Sequence, residues 1–229
     1  MIDAVLQSPF FGLTLCIASF LLGKWVQKKT GWLLANPLII AVALCIGVLV
    51  LFRIPYESFQ SGAAVINWML GPVTALLALG IYNQRLVLRE YFLPVLVGCF
   101  IGSVTSMASV LGLCRLFGVD KSVTAAILPK SCTTPIAISI AESHGGLAAI
   151  AACCVMVAGI TGALCAPMFA KWFHISDPVA QGIATGACSH ALGTTKAREM
   201  GELQGAMSSI AIGVCGLISV FLSLLLTLL

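Results

Sequence analysis

Apolar runs fill most of the chain, and little polar sequence separates them. A helix crossing a hydrocarbon core of about 30 Å needs roughly 17–25 apolar residues, and runs at or near this length lie at 9–23, 36–52, 61–83, 91–117, 146–170 and 204–228. Six membrane spans are therefore predicted. The third run contains Gly71-Pro72, where proline withdraws a backbone donor and a kink or partial break is expected. Charges gather in the connections: Lys24, Lys28 and Lys29 after the first span, Arg85 and Arg89 after the third, Lys171 after the fifth. By the positive-inside rule these loops face the cytoplasm and the N-terminus lies outside. The opening Met1-Ile-Asp-Ala lacks a basic n-region, so the first run reads as a retained span.

Two further segments, 120–144 and 177–201, break the pattern with Leu128-Pro-Lys-Ser-Cys-Thr-Thr-Pro135 and Ser189-His-Ala-Leu-Gly-Thr-Thr-Lys196. An unbroken helix is not expected through either, because Pro129, Pro135 and Gly193 remove donors or relax the backbone. Each segment either crosses once as a broken helix or re-enters as a hairpin. Two half-helices of about 10 residues reach roughly 15 Å, half of a bilayer core, and the charge distribution favours the hairpin. Shifting the sequence by 57 residues pairs Asp120 with Asp177, Glu142 with Glu199 and Gly159 with Gly216, and brings the two breaks into register. An interrupted segment followed by a span is thus a repeat unit, inserted upside down in its second copy, with the two breaks facing at the midplane.

Composition narrows the function classes. With 60% hydrophobic and 9% charged residues and a mean hydropathy of +1.09, the chain has too little polar surface for a soluble globule. Its net charge of +4 sits at span ends, without the basic, aromatic-interleaved run that nucleic acid would require. The ten cysteines fall mostly in apolar stretches, with no C-x-x-C pair, and the three histidines lack metal-ligand spacing. They read as buried hydrophobes rather than a disulfide or metal framework. No nucleotide-binding or nucleophile-elbow motif is present. An enzyme, a metal centre and a bound cofactor therefore have no support in the sequence.

The chemistry sits at the breaks. Thr134-Pro135 reads as an N-cap followed by proline at the first helical position, so a helix N-terminus points into the first break with Lys130 beside it. Free N–H groups, the positive dipole end and an ammonium suit an anion. In the second break, Gly193 is expected to take a left-handed cap and Thr194 or Thr195 to cap the following helix, with Ser189 and His190 on the approach. Ser131, Thr133, Ser189 and Thr194 offer hydroxyls to the remaining oxygens of a small hydroxy or keto acid. Each residue also has a plain alternative: Lys130 snorkelling to an interface, His190 as a packed imidazole, and Asn36-Pro37 as a helix entry that also lines the cavity.

At these motifs the chain resembles the LrgB family. Leu128-Pro-Lys-Ser-Cys-Thr-Thr-Pro-Ile-Ala137 and Ser189-His-Ala-Leu-Gly-Thr-Thr-Lys-Ala197 are similar to its two signature segments, and Asn36-Pro-Leu38 and Gly205-Ala-Met-Ser-Ser209 match as well. The resemblance implies a single multi-pass domain over 1–229 in a bacterial inner membrane. Spans in 1–60 would act as scaffold and 61–229 as core, giving an all-α, elevator-like architecture of about six spans plus two re-entrant hairpins. It carries two functional expectations. The first is transport of glycolate, glycerate, lactate or pyruvate coupled to a proton or sodium ion, with Lys130, Ser131, Thr133, Thr134, Ser189, His190, Gly193, Thr194 and Asn36 as substrate-binding residues. The second is holin- or antiholin-like control of murein hydrolase export. A small LrgA- or CidA-type membrane partner and a homodimer are the expected associations.

Overall fold

The computed structural model describes residues 8–31 and 37–227; Asn36 lies outside the described residues. All regular structure among them is helical, and five helices are long and apolar enough to cross a membrane. The chain forms two compact units, 1–73 and 74–229.

In the first unit, α1 (Pro9–Thr30) starts on the Ser8 side chain, which accepts from the Phe10 N–H at 3.3 Å, and stops at Gly31 with φ 67°. It packs on α2 (Pro37–Leu51) and α3 (Tyr56–Trp68) through glycines. A Cβ on Gly23 would lie 2.9 Å from the Pro37 Cα, and one on Gly12 2.9 Å from the Ala63 nitrogen. At 15 residues, α2 is shorter than the five candidate spans. The expected interruption near Gly71-Pro72 falls at Met69, between α3 and α4 (Leu70–Asn83). Pro72 has no N–H for the Trp68 carbonyl, so one rung is missing; Val73 N–H to Met69 O at 3.0 Å resumes the ladder, and 56–83 together make one of the five candidate spans.

The second unit holds α5 (Arg85–Glu90), α6 (Phe92–Leu116), α7 (Lys121–Ile127), α8 (Thr134–Ser143), α9 (Ala148–Trp172), α10 (Pro178–Met200) and α11 (Glu202–Thr227). The 57-residue shift carries 121–143, the span of α7 and α8, onto α10 end to end, and α6 onto α9 to within a residue. Asp120 and Asp177 do the same work in the two segments. Asp120 accepts from the Ser122 N–H at 2.9 Å, and Asp177 from Val179 and Ala180 at 3.3 and 3.2 Å, each capping the entry to an interrupted segment.

Both interrupted segments reverse direction. In the first, Pro129 ends α7 because it cannot donate, and two turns follow, Lys130 N–H to Ile127 O at 3.0 Å and Cys132 N–H to Pro129 O at 2.9 Å. The returning arm brings Ala141 against Ala126, both fully buried with Ala151. In the second, helical geometry fails at His190 (φ 48°, ψ −136°). Neighbours on α11 show that the chain then doubles back. Gly182 lies against Gln204 and Met207 and Gly186 against Ser208 and Ala211, so residues 178–189 run parallel to α11. Thr194 bonds Ser208 and Arg198 packs on Gly205, so 191–200 run antiparallel. The core beneath is apolar: Val95 and Cys99 of α6, Val179 and Ile183 of α10, and Met207, Ile210, Ala211 and Cys215 of α11.

Candidate functional site

The two reversal points meet. His190 Nε2 lies 3.1 Å from the Lys130 carbonyl oxygen, a bond joining residues 60 apart in sequence. A φ of 48° is unfavourable for a residue with a Cβ. It persists here because His190 is only 5% exposed and tied to the opposite segment. Next to this junction a cleft of about 510 Å³ opens between α6, the first break, α9 and the first arm of α10. Lys130 and Ser131 line it, along with Thr105 and Ser106 from α6, Thr161 from α9 and Cys188 from α10.

Lys130 is the only charged lining residue, and no carboxylate among the described residues lies within 4 Å of it. Its Nζ donates to Ser106 Oγ at 3.2 Å, and Ser106 in turn bonds the Ser131 hydroxyl. An ammonium has three donors, so two remain for a ligand. The one ion pair among the described residues, Lys196 to Glu199 at 2.8 Å, lies on the second arm of α10. A half-buried cation with hydroxyls around it and no counter-charge suits a small anion.

Of the other expected site residues that are described, Thr133, Thr134, Ser189, His190, Gly193 and Thr194 do not line the cleft. The N-cap of α8 is Thr133 rather than Thr134, which becomes the first helical residue, with proline second. Proline at either of the first two positions removes a donor that the helix leaves free anyway, so the sequence signal is shared between them. The Thr133 hydroxyl is buried without a partner. Gly193 does not take the left-handed cap; the positive φ falls at His190, whose ψ of −136° is not that of a left-handed cap. The glycine instead permits close approach within the hairpin, since a Cβ there would lie 2.9 Å from the Thr185 carbonyl oxygen and overlap Ser189. Thr194 does not cap. Its hydroxyl donates to His190 O at 2.9 Å and pairs with Ser208 at 2.8 Å inside the core. Thr195 likewise bonds back to Ala191. Ser189 is fully buried, against Gly162 of α9.

A family model described as the LrgB-like family matches residues 16–229. The chain belongs to the LrgB-like family. Among its relatives, the "Uncharacterized protein YxaC" of Bacillus subtilis (strain 168) is 37% identical over 207 residues, covering 90% of both chains. The "Antiholin-like protein LrgB" of the same strain is 33% identical over 215 residues, 93% of both, and that of Bacillus mycoides (strain KBAB4) is 33% identical over 93% of this chain and 94% of its own. No solved structure matches. Several relatives thus carry the name antiholin-like. For this LrgB-like chain, membership and the apolar helices make it a multi-pass membrane protein. The residues that the sequence reading missed, Thr105, Ser106 and Thr161, share one signal: hydroxyls placed midway along otherwise apolar spans.

Proposed function

We propose that this LrgB-like protein is a secondary transporter of small monocarboxylates of the glycolate, glycerate, lactate or pyruvate class, not an enzyme, residing in the bacterial inner membrane. The observation that carries the reading is the unpaired Lys130 ammonium in a hydroxyl-lined cleft where two reversing segments meet. Polar backbone at membrane depth is tolerated where it is covered by protein or lines a wet cavity, and paired broken helices at such a place are the common plan of transporter binding sites. The volume admits an acid of two to four carbons with water. In this reading the hairpins re-enter from opposite sides and alternate the cleft's exposure in an elevator-like movement, within a dimer.

A second reading, regulation of murein hydrolase activity with a small LrgA- or CidA-type partner, is favoured by the antiholin-like name of the relatives. The geometry gives that reading no use for a lone cation with hydroxyls beside it in a cleft. Reconstitution of this chain alone separates the two. The transport reading expects saturable counterflow of a labelled C2–C4 monocarboxylate in proteoliposomes. A regulator expects no flux, and substitutions in the cleft that alter autolysis without any dependence on carboxylate.

A further inference from the structure

We infer that His190 is a proton-binding site coupled to carboxylate binding at Lys130, an inference that rests on the transport reading above. Among the described residues His190 is the single buried side chain of any Asp, Glu, His, Lys or Arg, and every described carboxylate is exposed. The residues around the cleft therefore offer no buried acid to carry a proton or hold a sodium ion, and the imidazole is what remains. Its geometry suits the task. With Nε2 donating to the Lys130 carbonyl at 3.1 Å, the tautomer is set and Nδ1 keeps a lone pair for an incoming proton. His144 offers a contrast, because both of its ring nitrogens face carbonyls, Ile140 O at 2.9 Å and Ser223 O at 3.2 Å.

The coupling follows from charge. A protonated His190 would set a second positive charge beside Lys130, in a place without a carboxylate to offset either. The charged side chains of α6, α8, α9 and α11 lie at or near their helix ends, Arg115, Glu142, Lys171 and Glu202, and the other titratable groups on those helices are thiols. On α10 itself, Lys196 is held by Glu199, and Arg198 is exposed on the second arm. A carboxylate bound at Lys130 neutralises the first charge and makes the second admissible. Anion and proton then bind better together than apart, and by linkage each raises the other's affinity equally. The hydrogen bond through the Lys130 carbonyl also lets His190 report occupancy of the cleft to the opposite hairpin.

The test uses full-length protein in proteoliposomes with labelled lactate, comparing wild type with His190→Gln, whose amide can still donate to the Lys130 carbonyl but cannot take up a proton. Wild type is expected to accumulate lactate several-fold above equilibrium under an inwardly directed proton gradient. In His190→Gln the ratio of gradient-driven accumulation to counterflow should collapse. Equal ratios in the two proteins would overturn the inference, as would wild-type net uptake that ignores the gradient. Absence of counterflow in wild type for lactate, glycolate, glycerate and pyruvate would instead remove the transport reading and this inference with it. Should the variant fail to fold, proton uptake by purified wild type on adding lactate, read with a pH indicator in weak buffer, decides: about one proton per bound acid supports the site, and none overturns it.

Discussion

Gly193→Ala should open the second hairpin. The added methyl would lie 2.9 Å from the Thr185 carbonyl oxygen and overlap Ser189 from the opposing arm. Ordinary contact begins near about 3.5 Å, so the arms must part by about 0.6 Å or more, in a place where both are buried. Overpacking of this kind costs about 1–3 kcal/mol, and alanine returns at most about 1 kcal/mol of helix propensity. Even with the full return the net reaches a loss of about 2 kcal/mol, a fall of up to about 8 °C in melting temperature for a chain of this size, and against a glycine whose alanine gains the same propensity in open space the gap is about 1–3 kcal/mol. Gly112→Ala is the matched control, since a Cβ there meets nothing within 4 Å. Thermal unfolding of the purified proteins in detergent measures both. If Gly193→Ala proves as stable as Gly112→Ala, the close hairpin described for α10 is wrong.

Thr194→Val leaves the buried Ser208 hydroxyl without its partner. It should destabilise by about 1–3 kcal/mol, read by thermal unfolding, while carboxylate affinity stays within about twofold. Ser106→Ala removes the hydroxyl that accepts from and orients the Lys130 ammonium and should weaken carboxylate binding by about 2- to 10-fold, worth about 0.5–1.5 kcal/mol, with little change in melting temperature. Asp120 is held below its ordinary value of 3.8 by the Ser122 hydroxyl at 2.6 Å and by backbone N–H groups. A lowered folded value means that the stabilisation is present above the ordinary value and lost as pH falls through the folded one. The melting-temperature gap between wild type and Asp120→Ala should thus persist at pH 7 and shrink below about pH 4.

Much of the architecture was legible from residues alone. Pro129 and Pro135 marked the first reversal, a polar, glycine-bearing interruption marked the segment that holds the second, and the 57-residue correspondence that pairs Asp120 with Asp177 reappears as two capped segments of equal extent. The location of the second reversal was not legible. Glycine is the usual residue for positive φ, so Gly193 drew the assignment, whereas the buried bond to Lys130 O holds His190 in that conformation and the glycine serves close packing. Lys130 and Ser131 were readable as cleft residues because charge and hydroxyls are rare at such depth. Ser106 and Thr161 were not, since a hydroxyl inside a span commonly bonds its own helix and only the meeting of α6 and α9 with the first break turns them inward. The length of the second span also differed, with α2 covering 15 residues.

The central claim is that Lys130 binds the carboxylate, and saturable uptake by wild type and Lys130→Ala in matched proteoliposomes tests it most directly. A charged hydrogen bond is worth about 1.5–3 kcal/mol, so the apparent affinity for glycolate, glycerate, lactate or pyruvate should fall about 10- to 150-fold in protein that still inserts and folds. An unchanged transport constant in Lys130→Ala would contradict the account.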